Sequence, residues 1–232
     1  MEKQKYTAIV LAAGSGKRMN SKVHKQYLII QDRPVLYYSL KAFEDSAVDE
    51  IVLVVGKGEE KFCRKEIVDK YGISKVKAIV EGGKERYHSV FEGLKQTSDA
   101  DYVLIHDGAR PFVNQDIIRR CMQEVQKYQA CVVGMPVKDT IKIADEEGYA
   151  KQTPDRKNVW MIQTPQTFSY ALIYEAYEEM LKTEDTAITD DAMVLERLKG
   201  TKSKLIEGSY RNIKITTPED LLIANVYLQH PE

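Results

Sequence analysis

Residues 7–19 read TAIVLAAGSGKRM, an unbroken apolar run followed at once by a turn rich in glycine and positive charge. The run Thr7–Ala12 does not alternate with polar residues, which is typical of a strand buried on both faces of a parallel sheet. Gly14 and Gly16 allow positive φ and let backbone N–H groups approach an anion. Because open α/β sheets bind ligands beyond the carboxyl ends of their strands, this turn is predicted to bind phosphate.

Positive charge is concentrated around this turn, although the whole chain is nearly neutral. The chain has 232 residues, and its 34 lysines and arginines against 35 aspartates and glutamates give a formal net charge of −1. Every charged side chain from Lys3 to Gln31 is basic. The turn is not a Walker loop, because its glycines are too close together, and Met19 replaces the third glycine of a dinucleotide fingerprint. The alternative is a solvated basic turn, and the preceding buried strand favours phosphate binding over it.

Apolar runs of strand length alternate with segments of helical period along most of the chain. Buried strands are also predicted at Ile51–Val55, Val76–Val80, Tyr102–Ile105 and Ala130–Val137, and short strands at Lys204–Ile206 and Ile213–Ile215. Helices are predicted from Pro34 with Asp32 as a nearby cap, after Asn114, over Tyr170–Leu181 and Asp191–Leu198, and after Thr217. This alternation predicts an α/β fold, a Rossmann-like and mostly parallel sheet with helices on both faces.

The alternation stops after Val137. Asp139–Val159 is polar, Thr140–Ile143 alternates, and Glu146–Gly148 has the composition of a turn. We therefore expect a protruding β-arm at about residues 139–158 of a single domain that spans residues 1–232.

Composition excludes several classes of protein. Hydrophobic residues make up 43% and charged residues 30% of the chain, which is ordinary for a globular protein and excludes disorder. The near-neutral charge argues against a nucleic-acid partner, and no apolar run reaches the roughly 18 residues that a membrane-spanning helix needs. Cys63, Cys121 and Cys131 lack the spacing of a metal site and are predicted to be small buried side chains in a reducing compartment. The sequence thus predicts a cytoplasmic protein.

A second group of polar residues follows the fourth predicted strand, where residues 106–112 read HDGARPF. Asp107 at the carboxyl end of a strand can hold Mg²⁺ together with phosphate oxygens. The alternative is an aspartate that caps a turn and pairs with Arg110. Another glycine turn, Gly82–Gly83, leads into a predicted helix and is by itself an ordinary β–α turn. The neighbouring phosphate loop favours the metal-site interpretation of Asp107, because parallel strands bring such loops to one edge of the sheet.

These motifs together resemble the family of 2-C-methyl-D-erythritol 4-phosphate cytidylyltransferases. The loop AAGSGKRM at residues 12–19, followed by KQYL at 25–28, is similar to the wider signature of sugar-phosphate nucleotidylyltransferases. The narrower resemblance rests on VKDTIK at 137–142, QTPQ at 163–166, TDDA at 189–192 and the residues EG and NIK between 207 and 214. It extends from about Tyr6 to the end of the chain. Leu11 and Arg211 depart from the family pattern, but neither has one of the roles that the family implies.

The resemblance implies a nucleotide-diphospho-sugar transferase type of sheet and a homodimer formed through the arms. It implies transfer of the cytidylyl group of CTP to 2-C-methyl-D-erythritol 4-phosphate in the non-mevalonate isoprenoid pathway, with Mg²⁺ as cofactor. The catalytic residues that it implies are Arg18, Lys25, Arg156 and Lys214. The nucleotide-binding residues that it implies are Ala12, Ala13, Gly14, Ser15, Gly16, Gly83, Arg86 and Ser89. The implied residues for the acceptor substrate are Asp107, Arg110, Thr140, Thr164 and Thr189, and Asp107 is also the implied metal ligand.

The implied chemistry agrees with the lack of a nucleophile–base motif in the sequence. The attacking group is a phosphate oxygen, which is largely ionised near neutral pH because its second pKa is about 6. Two alternatives stay open, a cytidylyltransferase for another polyol phosphate such as ribitol 5-phosphate and a catalytically silent nucleotide-binding regulator. The sequence Ala12-Ala13-Gly14 disfavours the first, because those relatives tend to have Ala-Gly-Gly there. Arg18 together with Lys25 disfavours the second.

Overall fold

The computed structural model describes residues 3–14, 19, 23–183 and 187–230. The strands are β1 (Tyr6–Ala12), β2 (Ile29–Ile30), β3 (Arg33–Pro34), β4 (Glu50–Val55), β5 (Val76–Glu81), β6 (Tyr102–Asp107), β7 (Ala130–Pro136), β8 (Ile143–Ala144), β9 (Ala150–Gln152), β10 (Trp160–Ser169) and β11 (Lys204–Glu207). The helices are α1 (Val35–Glu44), α2 (Glu60–Cys63), α3 (Arg86–Leu94), α4 (Gln115–Tyr128), α5 (Tyr170–Met180), α6 (Asp191–Lys199) and α7 (Pro218–Gln229). Helix α2 continues into a π-helical turn at Arg64–Asp69, and 3₁₀ turns occupy Lys25–Tyr27 and Arg156–Asn158.

One sheet of seven strands runs in the order β11-β7-β10-β6-β1-β4-β5. Its neighbouring strands are parallel, except that β10 is antiparallel to both β6 and β7. The predicted α/β fold with a mostly parallel sheet is confirmed. Because β1, β4, β5 and β6 run in the same direction, their carboxyl ends lie along one edge of the sheet.

Alternate residues of β1 divide the apolar core into two layers. Val10 packs with residues of α1, α2 and α4 on one face of the sheet. Ile9 packs with residues of α3, α5 and α6 on the other face. The predicted cover of helices on both faces is therefore confirmed, and it explains why the apolar run of β1 is unbroken.

Two of the predicted helix starts are confirmed and one is wrong in detail. The Asn114 side chain accepts the N–H of Ile117 at 3.0 Å and caps α4, and Thr217 begins α7 in a capping box. Helix α1 begins at Val35, with Pro34 as its N-cap residue in β3 and without a side-chain cap. Asp32 is not needed as a cap, because the carbonyl of Leu28 accepts the Val35 N–H at 2.9 Å.

The sequence does not predict β10, the antiparallel strand between β6 and β7. Its residues from Gln163 to Thr167 are buried although most of them are polar, so the strand has no apolar run to mark it. The predicted strand at Ile213–Ile215 is wrong, since this extended segment belongs to no strand of the sheet. The Ile215 N–H donates to the carbonyl of Ala109 at 2.8 Å instead, which places this segment beside the end of β6.

The predicted hairpin after Val137 is present. Strands β8 and β9 pair in antiparallel fashion, and every residue from Lys138 to Thr153 is exposed. Ile143 and Tyr149 are among them, with 45% and 70% of their surface accessible. Within this chain, the arm therefore leaves its apolar side chains largely uncovered.

All three cysteines are free and buried, as the sequence predicts. Burial raises the pKa of Cys63 to about 11 and that of Cys121 to about 12, so both thiols stay protonated near neutral pH. None of the described helices is long and apolar enough to cross a bilayer.

Candidate active site

A cleft of about 360 Å³ opens at the carboxyl edge of the sheet, between the ends of β1, β5 and β6. The predicted site residues that line it are Ala12, Ala13, Gly14, Lys25, Gly83, Arg86, Ser89, Asp107 and Lys214. Three further predicted residues, Ser15, Gly16 and Arg18, lie outside the described residues. The structure thus brings together side chains from three glycine-rich or polar loops and from the extended segment before α7.

The carboxylate of Asp107 lies between two cationic side chains of the cleft. Nζ of Lys214 is 2.7 Å from its Oδ2, and Nε of Arg86 is 3.3 Å from its Oδ1. Burial opposes ionisation of this carboxyl, but Arg86, Lys214 and Arg110 together hold the pKa of Asp107 well below its ordinary value. Asp107 is therefore ionised and accepts hydrogen bonds from both sides of the cleft.

Behind the cleft, Thr164 and His106 hold the backbone of Asp107. The Thr164 hydroxyl accepts the N–H of Asp107 at 3.1 Å and lies 3.0 Å from Nδ1 of His106. Nε2 of His106 is 3.1 Å from the carbonyl of Arg110. Burial lowers the pKa of His106 to about 4, so the ring is neutral, donates from Nε2 and accepts the Thr164 proton at Nδ1. Thr164, which the family resemblance implies as a substrate contact, is itself buried and holds the backbone N–H of Asp107.

On the far side of Arg86 lies Asp191, a fully buried carboxylate. It accepts both terminal nitrogens of the guanidinium at 2.7 Å, and it also accepts the Tyr177 hydroxyl at 2.5 Å. Sequence reasoning missed Asp191 as an individual site residue, because an aspartate at the start of a helix usually indicates only a cap. The TDDA motif at residues 189–192 includes Asp191, so this motif was the signal that could have identified it.

The short turn that carries Lys25 is anchored on both sides. Nε2 of the buried Gln26 donates to the carbonyl of Ala12 at 2.5 Å, which ties the turn to the end of β1. The Tyr27 hydroxyl donates to Glu59 at 2.7 Å, which ties it to the loop after β4. Sequence reasoning included Gln26 only within the KQYL motif at residues 25–28, and it missed Glu59, because single polar residues in polar segments give no periodic signal.

Other predicted site residues do not line the cleft of their own chain. Arg110 donates to the carbonyl of Asn212 at 2.8 Å and to the carbonyl of Ile162 in β10 at 3.3 Å. Thr140 and Arg156 lie on the exposed arm, where Arg156 donates to the carbonyl of Lys138 at 2.9 Å. Thr189 is exposed just before α6.

The cleft offers few ligands for a metal ion. Among residues 3–14, 19, 23–183 and 187–230, no group of three or more histidine, cysteine or acidic side chains is placed to hold one. Mg²⁺, however, is commonly held by one or two carboxylates, with phosphate oxygens and water as its other ligands. Asp107 therefore fits a Mg²⁺ ion that arrives with a polyphosphate, whereas these residues do not form a closed all-protein site.

The arrangement suits the binding and positioning of phosphorylated compounds. Lys25, Arg86 and Lys214 supply positive charge, and the turns at Gly14 and Gly83 bring the backbone close to the cleft. Cations held in this way stabilise the charge that develops during phosphoryl or nucleotidyl transfer.

Comparisons with known proteins agree with this geometry. A sequence profile of the family described as 2-C-methyl-D-erythritol 4-phosphate cytidylyltransferase matches residues 6–230. A curated protein of that name from Lachnospira eligens is 54% identical over 225 residues, which cover 96% of this chain and 99% of the relative. Another from Lachnoclostridium phytofermentans is 51% identical over 226 residues, which cover 97% of each chain. The crystal structure of 4-diphosphocytidyl-2C-methyl-D-erythritol synthase from Anaerococcus prevotii matches with a TM-score of 0.86 at 38% identity, covering 98% of this chain and 97% of that one.

Proposed function

This chain belongs to the 2-C-methyl-D-erythritol 4-phosphate cytidylyltransferase family, and we propose that its cleft joins CTP to 2-C-methyl-D-erythritol 4-phosphate. The products are 4-diphosphocytidyl-2-C-methyl-D-erythritol and pyrophosphate. The protein is a nucleotidyltransferase of isoprenoid biosynthesis. The observation that carries the proposal is the convergence of Lys25, Arg86, Asp107 and Lys214 on one cleft in a chain that matches the family over residues 6–230.

CTP binds against the ends of β1 and β5. The backbone of Ala12 and Ala13 faces the base, and the turns at Gly14 and Gly83 allow close approach of the nucleotide. Lys25 faces the triphosphate from its anchored turn. We assign Arg18 to the triphosphate as well, from the family motif alone.

The acceptor substrate binds on the Lys214 side of Asp107. An oxygen of its phosphate attacks the α-phosphorus of CTP, and the bond from that phosphorus to the bridging oxygen breaks as pyrophosphate leaves. The nucleophile needs no base, because a phosphate monoester is largely ionised near neutral pH. Lys214 orients the attacking phosphate, and Lys25 and Arg18 stabilise the charge that builds up on the transferring group.

Mg²⁺ is the cofactor of this proposal. Asp107 would hold the ion, because it is an ionised carboxylate in the cleft. Bound together with CTP, Mg²⁺ would offset negative charge on the phosphates and so assist the departure of pyrophosphate.

We propose that the active protein is a homodimer in which each arm completes the site of the other subunit. Thr140 and Arg156 lie on the exposed arm rather than in the cleft of their own chain. Ile143 and Tyr149 on the arm are also exposed, and short strand edges with apolar side chains favour pairing with another chain. Arg156 of one subunit then holds the acceptor phosphate together with Lys214 of the other.

We also propose a cytoplasmic location and no nucleic-acid or membrane partner. The three free, buried cysteines fit a reducing compartment. The formal net charge of −1 provides no general attraction to a nucleic acid.

Pyrophosphate release measured with four nucleoside triphosphates and a panel of polyol phosphates tests the proposed function. The expected result is highest turnover with CTP and 2-C-methyl-D-erythritol 4-phosphate, and loss of activity when a chelator removes divalent ions. Equal turnover of ribitol 5-phosphate, or a preference for UTP, would contradict the specific substrates. A folded protein that binds CTP but never releases pyrophosphate would instead support the regulator alternative.

A further inference from the structure

Asp191 does not line the cleft, and its buried carboxylate lies behind Arg86, which does. Asp191 is the first residue of α6 and is fully buried, so it cannot touch a substrate directly. Its carboxylate accepts both terminal nitrogens of Arg86 at 2.7 Å, in a two-point contact that fixes the plane of the guanidinium. The remaining nitrogen, Nε, then points to Asp107 at 3.3 Å.

Asp191 is itself held firmly in place. Tyr177, a fully buried residue of α5, donates its hydroxyl to the carboxylate at 2.5 Å. The side-chain oxygen of Gln166 in β10 accepts the N–H groups of Asp191 and Ala192 at 3.0 and 2.9 Å. Asp191 is therefore held by α5 through its side chain and by β10 through its backbone N–H.

We propose that Asp191 is a positioning residue that acts through Arg86, and that Tyr177 supports it. The chain of contacts runs from Tyr177 through Asp191 and Arg86 to Asp107, and it determines where the Arg86 guanidinium and the Asp107 carboxylate lie in the cleft. Misplacement of a reacting group by about 1 Å can lower a rate about 10²-fold. The inference rests on the proposed function, because it assigns Arg86 and Asp107 to that reaction.

A merely structural role makes a different prediction. If the Arg86–Asp191 pair only joined α3 to α6, its loss would lower stability and leave the kinetic constants of the folded enzyme unchanged. Positioning through Arg86 instead requires that the substitution of Asp191 has no further effect once Arg86 is absent. Residues that act as one unit show such non-additive losses in a double-mutant cycle.

The experiment is a double-mutant cycle with Asp191→Asn, Arg86→Gln and their combination, assayed by pyrophosphate release on protein shown to be folded by circular dichroism. We expect Asp191→Asn to lower kcat/KM about 10- to 100-fold, and the double variant to be no worse than Arg86→Gln alone. Asp116→Asn is the matched control, since Asp116 accepts Nη2 of Arg119 at 3.0 Å on the exposed surface of α4 and does not line the cleft. Its kcat/KM should stay within about twofold of the wild type, because an exposed ion pair away from the cleft contributes little.

Tyr177→Phe provides a second cycle if Asp191→Asn does not fold. It removes one hydroxyl from the support of Asp191, and we expect a smaller loss that also disappears in the Arg86→Gln background. Wild-type kinetics in folded Asp191→Asn, or losses that multiply in the double variant, would overturn the inference. Absence of wild-type turnover with CTP and 2-C-methyl-D-erythritol 4-phosphate would overturn the proposed function instead, so the two failures are distinguishable.

Discussion

The ammonium of Lys214 lies 2.7 Å from Oδ2 of Asp107, a residue 107 positions earlier in the chain. The contact forms because the next residue, Ile215, is tied through its N–H to the carbonyl of Ala109 at 2.8 Å. An ammonium has three donors, so Lys214 can bind a phosphate oxygen while it keeps its bond to Asp107. This pair explains why a charged residue stands between Ile213 and Ile215.

Replacement of Lys214 by alanine should weaken the acceptor side of the site selectively. A hydrogen bond to a charged group contributes about 1.5–3 kcal/mol, so kcat/KM for 2-C-methyl-D-erythritol 4-phosphate should fall roughly 10- to 150-fold. Steady-state kinetics with each substrate varied in turn measure this, with Lys127→Ala on the exposed side of α4 as control. An equal rise in KM for CTP would show that Lys214 does not distinguish the two substrates.

Lys25→Ala and Arg18→Ala should lower kcat far more than they raise the KM for the acceptor. A cation aimed at developing charge acts mainly in the transition state, and the loss of one such contact costs roughly 10²–10³-fold in kcat. Single-turnover rates at saturating substrates check this prediction. An unchanged kcat in either variant would show that the substituted side chain does not stabilise the transition state.

The proposed shared site predicts complementation between two inactive variants. Arg156→Ala and Lys214→Ala homodimers should each keep no more than about a tenth of the wild-type activity. After the two are unfolded together and refolded, random pairing makes about half the dimers mixed, each with one intact and one doubly damaged site. Activity should recover to roughly a quarter of the wild-type value.

Subunit exchange in that mixture must be confirmed independently, for example by native mass spectrometry of variants with different affinity tags. Each variant refolded alone is the matched control. If mixed dimers form and the mixture stays as inactive as its parents, both residues act within one chain and the shared site is wrong.

His106 should contribute to the loss of stability in acid. Burial lowers the pKa of His106 to about 4 in the folded protein, whereas the unfolded chain takes up this proton near pH 6.5. The unfolded state therefore binds more protons between these values, and the stability contribution falls as the pH decreases from about 6.5 to about 4. The difference between the two pKa values of His106 corresponds to about 3 kcal/mol in the free energy of unfolding.

Urea unfolding of the wild type and of His106→Gln at several pH values between 4 and 7 measures this contribution. Glutamine does not titrate, so the variant should lose less stability over that range, even if it starts from a lower value at pH 7. The same pH dependence in both proteins would show that the ring of His106 is not the group responsible.

Most of the α/β architecture could be predicted from local patterns. Apart from Thr7, the runs Thr7–Ala12, Ile51–Val55 and Ala130–Val137 lack polar side chains because both sides of their strands are covered by helices. A strand of this kind can be recognised from a few consecutive residues, without knowing which strands and helices pack against it. Strand β10 had no comparable signal, because Gln163, Thr164 and Gln166 are buried by hydrogen bonding rather than by apolar packing.

The sequence by itself determined the fold class and the family, because the alternation of apolar runs with helical segments defines the first and the spacing within short motifs defines the second. Only the tertiary structure decided which side chains meet, such as Lys214 with Asp107 and Arg86 with Asp191. Those pairs depend on strand order and on the insertion of β10 between β6 and β7, which local periodicity does not encode. The physical reason is that a buried charge must find its partner in space, and the chain places that partner a hundred residues away.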